Sequence, residues 1–126
     1  LLIAAALDDA ELSDFDALAA EVGLDALVEV HDEEELERAV AHTRARLVGV
    51  NQRDLVTFEV DQQRAVRVAG AMPEGAVRVA ESGVRGRGDA VALAAAGYDA
   101  VLVGEHLVTA GDTVGALREL LVERPG

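Results

Sequence analysis

The chain has 126 residues, 51% of them hydrophobic, which is enough to form the core of one domain. Its formal net charge of −13 would repel nucleic acid phosphates and anionic lipids, which argues against nucleic acid and membrane partners. It contains no cysteine, and all 11 basic residues are arginine, so it supplies neither a thiolate nucleophile nor a Schiff-base lysine.

The apolar runs and the start of the sequence bear on where the protein works. No apolar run approaches the ~20 residues of a membrane-spanning helix, and no basic segment leads the chain as in a signal peptide. We therefore expect a cytoplasmic protein. The chain opens at Leu1 inside an apparent strand, without an initiator methionine, so we expect residues 1–126 to be a partial domain that begins inside a larger one.

Apolar runs and helical periodicities alternate along the chain. The first helix carries apolar residues at three and four spacing and is predicted to be capped by Asp8 or Ser13, and the last by Asp112 or Thr113. Those apolar residues are Leu12, Phe15, Leu18, Ala19 and Val22. Strands are predicted at 1–7, 26–30, 46–50, 76–81 and 100–103. Helices are predicted at 11–22, 33–42, 61–69, 88–96 and 113–122, with a short helical turn from residue 104.

Four polar or glycine positions mark the ends of successive strands. Glu29, Asn51, Glu81 and Gly104 are 22, 30 and 23 residues apart, a spacing typical of consecutive βα units, of which we count five. A complete (β/α)8 TIM barrel needs roughly 250 residues, so the α/β pattern predicts about half a barrel. An open doubly wound sheet is the alternative, but Leu7-Asp8-Asp9 lacks the glycine-rich first turn expected there.

Two carboxylates and an amide are candidates for acid-base chemistry. Glu29 lies within the apolar run ALVEV, Asn51 follows the third strand, and Glu81 ends the fourth. A carboxylate in such a place is costly to desolvate, and a structural salt bridge from Glu29 to Arg46 or another arginine would explain it without function. Because the carboxyl ends of parallel strands meet at one edge, we expect the three groups to act together on a polar small molecule.

Other strand ends offer groups for binding anions. Ser82-Gly83 and Gly104-Glu105 precede helices, where free backbone N–H groups bind phosphate. Arg53 can clamp a carboxylate, although an arginine paired with Asp54 on the loop is the simpler interpretation. His31 beside Asp32 suggests a metal, but the three histidines are far apart in the sequence, so we predict no metal site and no cofactor.

Four segments together resemble the indole-3-glycerol phosphate synthase family. They are LVEVHDEEELERA, VGVNQRDLVTFEVD, VAESGV and VLVGEHLV, in this order. The NQRDLVTFEVD segment is the most specific, whereas VAESG and VGE also resemble other phosphate-binding barrels such as phosphoribosylanthranilate isomerase. The resemblance covers essentially the whole chain, as strands four to eight of the family's barrel, and implies a cytoplasmic lyase of tryptophan biosynthesis.

The resemblance also implies a reaction and roles for residues. The family closes the ring of 1-(2-carboxyphenylamino)-1-deoxyribulose 5-phosphate, losing CO2 and water. Glu29 matches the proposed general base, and Asn51 with Glu81 matches groups that hold the substrate hydroxyls. The remaining matches are substrate-binding positions, namely Arg53 on the anthranilate side, Leu102 as an apolar wall, and Ser82, Gly83, Gly104 and Glu105 around the phosphate. The family's two catalytic lysines belong to earlier strands, so the chain alone is expected to be inactive.

Half a barrel would leave apolar surface uncovered. The inward side chains Leu27, Leu47, Val77 and Val79 would lack the opposite layer, and both edge strands would have unpaired backbone groups. We therefore expect the chain to pair with an N-terminal barrel half or to self-associate. A half-barrel that only self-associates, without chemistry, is the alternative from a different functional class.

Overall fold

The computed structural model of the chain describes residues 1–53, 61–123 and 125, which form a parallel sheet alternating with helices. The strands are β1 (Leu2–Ile3), β2 (Leu27–Val30), β3 (Leu47–Asn51), β4 (Val77–Glu81) and β5 (Ala100–Leu102). The helices are α1 (Asp9–Glu21), α2 (Glu33–His42), α3 (Gln62–Ala71), α4 (Arg87–Ala95), α5 (Glu105–Val108) and α6 (Thr113–Leu120). A 3-10 turn, Ala4–Ala6, follows β1.

The strand order is strictly sequential. The sheet runs β1-β2-β3-β4-β5, and every neighbouring pair is parallel. A doubly wound sheet would reverse its strand order at a switch point, which this sheet does not do. The predicted α/β class, as part of a TIM barrel, is confirmed.

The two faces of the sheet differ because side chains alternate along a strand. The face toward the helices consists of valines and alanine that are almost fully buried: Val28, Val30, Val48, Val50 and Ala80. Helix residues such as Leu12, Ala39 and Val68 belong to the same hydrophobic core as these strand residues. The opposite face, here called the inner face, carries Glu29, Gly49 and Val79 in one row and Asn51, Glu81 and Leu102 in the next.

Aspartate side chains cap the N-termini of four of the described helices, α1, α2, α3 and α6. Asp8 accepts a hydrogen bond from the backbone N–H of Glu11, whose side chain bonds back to the N–H of Asp8, so Asp8 rather than Ser13 caps α1. Asp32 caps α2, Asp61 caps α3, and Asp112 rather than Thr113 caps α6. Within the described residues, no helix is both long and apolar enough to span a membrane.

The first predicted strand, at residues 1–7, is wrong beyond Ile3. Only Leu2 and Ile3 pair with β2, and the chain then turns through Ala4–Ala6. Arg38 of α2 explains the turn, because its guanidinium donates to the carbonyls of Ala4 at 3.1 Å and Leu7 at 2.7 Å. A cation that binds two nearby carbonyls removes them from the strand ladder, an effect that the apolar run does not reveal.

The inner face is only partly covered, as the half-barrel prediction implies. Leu27 and Leu47 are half-buried, and Val77 is 44% exposed. Val79 is the exception, since it is 7% exposed and needs no opposite layer. The stripe predicted for α1 is also uncovered: Leu12 is fully buried, whereas Phe15, Leu18 and Val22 are 44–59% exposed.

Candidate active site

The carboxyl ends of the strands bring the predicted acid-base groups together. Asn51 and Glu81 are the last residues of β3 and β4, and they lie opposite one another in the strand register, with Leu102 next in the row. Glu29 is one row deeper on β2. All of these side chains belong to the inner face, so the sheet edge forms the floor of a site.

A cleft of about 750 Å³ opens over this edge. All of the site residues predicted from the sequence line it, namely Glu29, Asn51, Arg53, Glu81, Ser82, Gly83, Leu102, Gly104 and Glu105. Arg85, His106 and Thr109 also line the cleft and were not predicted. The residues predicted as a site thus line one cleft, and their roles depend on the geometry within it.

Glu29 and Asn51 are joined by a direct hydrogen bond. The Asn51 Nδ2 atom donates to Glu29 Oε1 at 2.9 Å, and the Asn51 Oδ1 atom accepts from the backbone N–H of Arg53 at 3.0 Å. Glu29 is 6% exposed. Among the described residues it has no arginine partner, so the predicted alternative of a salt bridge with Arg46 is not found.

Glu81 is buried without satisfying its oxygens. Glu81 is 3% exposed, and within the described part of the chain neither of its oxygens accepts a hydrogen bond from an N–H or hydroxyl group. Burial, with a further contribution from the negative charge of Glu29, raises the pKa of Glu81 from 4.5 to about 7. Near neutral pH this carboxyl is therefore partly protonated and can donate as well as accept.

Gly49 makes the space that Glu81 occupies. A Cβ atom on Gly49 would lie 2.8 Å from Glu81 Cδ and 2.9 Å from Glu81 Oε2, closer than such atoms approach in proteins. Sequence reasoning missed this residue. Its signal is a glycine in the middle of the β3 run LVGV, since glycine inside a strand often marks the close approach of another group.

The turn after β4 has an unusual backbone. Ser82 and Gly83 have positive φ angles of 59° and 67°, and a non-glycine residue rarely adopts this conformation. Gln52, 1% exposed, donates from Nε2 to the Ser82 carbonyl at 2.8 Å, and its backbone N–H donates to the Glu81 carbonyl at 3.1 Å. Gln52 was also missed, and it fixes the turn that carries the predicted anion-binding groups.

Arg53 and Glu105 face each other across the mouth of the cleft. Their closest atoms, Arg53 Nη2 and Glu105 Oε2, are 3.7 Å apart, and the two side chains are 38% and 78% exposed. An ion pair this exposed contributes little stability. The alternative partner predicted for Arg53, Asp54, lies outside the described residues.

His31 lies behind Glu29, between two carboxylates. Its Nε2 atom is 3.6 Å from Glu29 Oε1, and its Nδ1 atom is 3.0 Å from Glu35 Oε2. Over the described ranges, no group of three histidine, cysteine or acidic side chains is arranged to hold a metal ion. The imidazole therefore has two carboxylate neighbours.

Comparisons with known proteins place the chain in a family. The family model described as indole-3-glycerol phosphate synthase matches residues 1–120. A protein named indole-3-glycerol phosphate synthase from Mycobacteroides abscessus is 50% identical over 121 residues, which are 96% of this chain and 44% of that protein. One of the same name from Micrococcus luteus is 54% identical over 118 residues, 94% of this chain and 44% of its own length. The chain thus spans less than half the length of these relatives. The match over residues 1–120, on a sequential parallel sheet with polar strand ends, shows that the chain belongs to the indole-3-glycerol phosphate synthase family.

Proposed function

We propose that this chain supplies the base and hydroxyl-binding side of an indole-3-glycerol phosphate synthase active site. The observation that carries the proposal is the cluster of Glu29, Asn51 and Glu81 on the floor of one cleft. The substrate is the phosphorylated anthranilate derivative 1-(2-carboxyphenylamino)-1-deoxyribulose 5-phosphate. The reaction forms a carbon-carbon bond and releases CO2 and water.

The two carboxyl groups have different environments, which suits them to different roles. Glu29 accepts a hydrogen bond from Asn51 Nδ2 at 2.9 Å and acts as the general base that removes a proton during dehydration. Glu81, with its pKa raised to about 7, binds substrate hydroxyls and donates to oxygen atoms that gain negative charge. Asn51 lies between them and keeps Glu29 in place.

The two anionic ends of the substrate are assigned to different groups that line the cleft. Backbone N–H groups of the Ser82-Gly83 turn bind the phosphate, because successive backbone N–H groups in a turn can form a concave set of donors. Arg85 is next to this turn and also lines the cleft. Arg53 binds the anthranilate carboxylate by exchanging its exposed partner Glu105 for the ligand.

One catalytic group must come from outside these residues. The chain has no lysine, and arginine stays protonated, so it does not serve as a general acid at neutral pH. General acid-base help typically contributes ~10²–10⁴-fold. We therefore propose that the general acid belongs to another part of the barrel and that the chain does not catalyse the reaction without it.

The exposed apolar residues indicate where that other part docks. At one end of the sheet, α1 exposes Phe15, Leu18 and Val22. At the other end, α6 and the residue after it expose Val114, Leu117 and Leu121. The missing barrel half covers these two ends and the inner face. Without that half, a second copy of the chain covers these apolar residues. The rival function is a half-barrel that only self-associates and catalyses no reaction.

A joined protein tests the proposal. It consists of the N-terminal part of the Micrococcus luteus relative followed by residues 1–126, and it is expected to form indole-3-glycerol phosphate. Glu81→Gln should lower kcat/KM by roughly 10²-fold or more, consistent with the loss of an acid-base group. Glu74→Gln is the matched control, because Glu74 is exposed and precedes β4 at the opposite end of the sheet. A folded joined protein that forms no product, or that only isomerises phosphoribosylanthranilate, would contradict the proposed function.

A further inference from the structure

The imidazole of His31 connects two carboxylates that belong to different elements. His31 directly follows β2, whose Glu29 is 3.6 Å from His31 Nε2. On the other side, Glu35 Oε2 of α2 is 3.0 Å from His31 Nδ1 and accepts from the His31 backbone N–H at 2.7 Å. Asp32 caps the helix by accepting from the Glu35 N–H at 2.8 Å. The cap and the two bonds to Glu35 hold the ring in one orientation.

This orientation fixes which ring nitrogen carries the proton. An ionised carboxylate only accepts hydrogen bonds, so Nδ1 must be the N–H that donates to Glu35. In the neutral ring, Nε2 then has a lone pair, and this lone pair faces Glu29. Within the described residues, Nε2 has no hydrogen-bond partner, although it is buried.

A buried nitrogen without a partner is unfavourable unless something uses it. His31 is only 8% exposed, so solvent does not readily supply the missing partner of Nε2. The arrangement of a carboxylate, an imidazole and a reacting group is the one by which enzymes orient a histidine for proton transfer. Here the group that the imidazole faces is itself the proposed base.

We propose that His31, oriented by Glu35, is a positioning residue that holds the proton that Glu29 removes from the substrate. This rests on the proposed function, in which Glu29 is the general base. After Glu29 has taken a proton, the Glu29 carboxylic acid transfers it to the Nε2 lone pair as the 3.6 Å separation closes to a hydrogen bond of ~3 Å. The O–H bond breaks, an N–H bond forms, and the imidazolium lies between the Glu29 and Glu35 carboxylates. Transfer of the proton back to Glu29, and from there to a solvent water, restores the neutral ring and the Glu29 carboxylate.

The tautomer of His31 gives a test that does not depend on activity. In the 126-residue chain with ¹⁵N-labelled histidine, His31 is one of three histidines, so His31→Gln assigns its signals. We expect the ring-nitrogen shifts of neutral His31 to report a proton on Nδ1. Glu35→Ala should abolish this preference, whereas Glu34→Ala, an exposed residue on the same turn, should preserve it. A neutral ring with its proton on Nε2 would overturn the proposal, because no lone pair would then face Glu29.

Kinetics of the joined protein test the role itself. His31→Gln should lower kcat at least ten-fold and leave KM within about two-fold, since the residue acts on proton transfer through Glu29. His31→Asn is a second variant in case the first does not fold. His42→Gln, at a half-buried site facing Asp9 on another helix, should change neither constant. If a folded His31 variant keeps the parent kcat, the proposal that His31 holds the proton from Glu29 is overturned, but the proposed function is not. If the parent protein itself forms no product, the proposed function fails, and the tautomer measurement alone decides whether the Glu35-His31 pair is set up as described.

Discussion

Replacing Gly49 by alanine would push the Glu81 carboxyl group out of its place without substituting any titratable residue. The new Cβ would lie 2.8 Å from Glu81 Cδ, 2.9 Å from Oε2 and 3.1 Å from Oε1. Carbon and oxygen atoms in ordinary contact are ~3.5–4.0 Å apart, so the carboxyl group must move by roughly 0.5–1 Å. Because active sites tolerate ~0.5 Å and a 1 Å misplacement can cost ~10²-fold, we expect kcat/KM to fall by about 10²-fold.

The effect of Gly49→Ala on stability has two opposing parts. Overpacking a buried site costs ~1–3 kcal/mol, and replacing glycine in a strand recovers ~0.5–1 kcal/mol of chain entropy. The net expectation is a loss of about 1–2 kcal/mol in the free energy of unfolding. The assay is indole-3-glycerol phosphate formation by the joined protein together with urea unfolding.

Gly70→Ala is the matched control for Gly49→Ala. Nothing lies within 4 Å of a Cβ placed on Gly70, which is in α3, so alanine should stabilise this helix by ~0.5–1 kcal/mol and leave kinetics unchanged. If Gly49→Ala retains the parent kcat/KM, then the position of the Glu81 carboxyl is not what the site depends on, and the reasoning from its close contact with Gly49 is refuted.

Three further predictions concern pH, the turn after β4 and assembly. The pKa of Glu81 is raised from 4.5 in the unfolded chain to about 7 in the folded one, so its contribution to the free energy of unfolding, on the order of 3 kcal/mol, is present below pH 4.5 and is lost as pH rises through 7. Glu81→Gln should therefore flatten the decline of the free energy of unfolding between pH 5 and pH 8, as measured by urea unfolding. An unchanged decline in the variant would contradict the raised pKa. Gln52→Leu, which removes the 2.8 Å bond to the Ser82 carbonyl, should raise KM for the phosphorylated substrate roughly ten-fold with little effect on kcat, whereas the exposed Gln63→Leu should do neither. The isolated chain should sediment as a dimer or larger species at micromolar concentration, and a compact monomer would show that its exposed apolar ends need no cover.

The fold and the location of the cleft could be predicted because they depend on local signals. Buried parallel strands leave short apolar runs, and polar groups such as Asn51 and Glu81 appear where each run stops. The strand order then brings these groups to one edge, as the βα spacing predicts. The family resemblance led to the same residues, and the match over residues 1–120 confirmed it.

The supporting residues could not be predicted because they depend on register between strands. Gly49 matters because the pairing of β3 with β4 places the Glu81 carboxyl group against it. Gln52 matters because its side chain donates a hydrogen bond to the Ser82 carbonyl. His31 was considered with Asp32 as a possible metal ligand, whereas its contacts are Glu29 and Glu35. In each case the residue type was visible in the sequence and its partner was not.

The end of β1 shows a limit of the apolar-run rule. The run from Leu1 to Leu7 has the composition of a strand, but Arg38, 31 positions after Leu7, captures two of its carbonyls. Such a long-range side-chain bond outweighs local propensity at an edge strand, which has ladder bonds on one side only.

Mixing the two barrel parts as separate proteins tests the central claim most directly. The 126-residue chain and the N-terminal part of the Micrococcus luteus relative are each assayed alone and then together for indole-3-glycerol phosphate formation. We predict product only from the mixture, and a loss of roughly 10²-fold or more when the chain carries Glu29→Gln. Turnover by the chain alone, or a mixture in which Glu29→Gln is as active as the parent, would contradict the claim that this chain supplies the base of a shared active site.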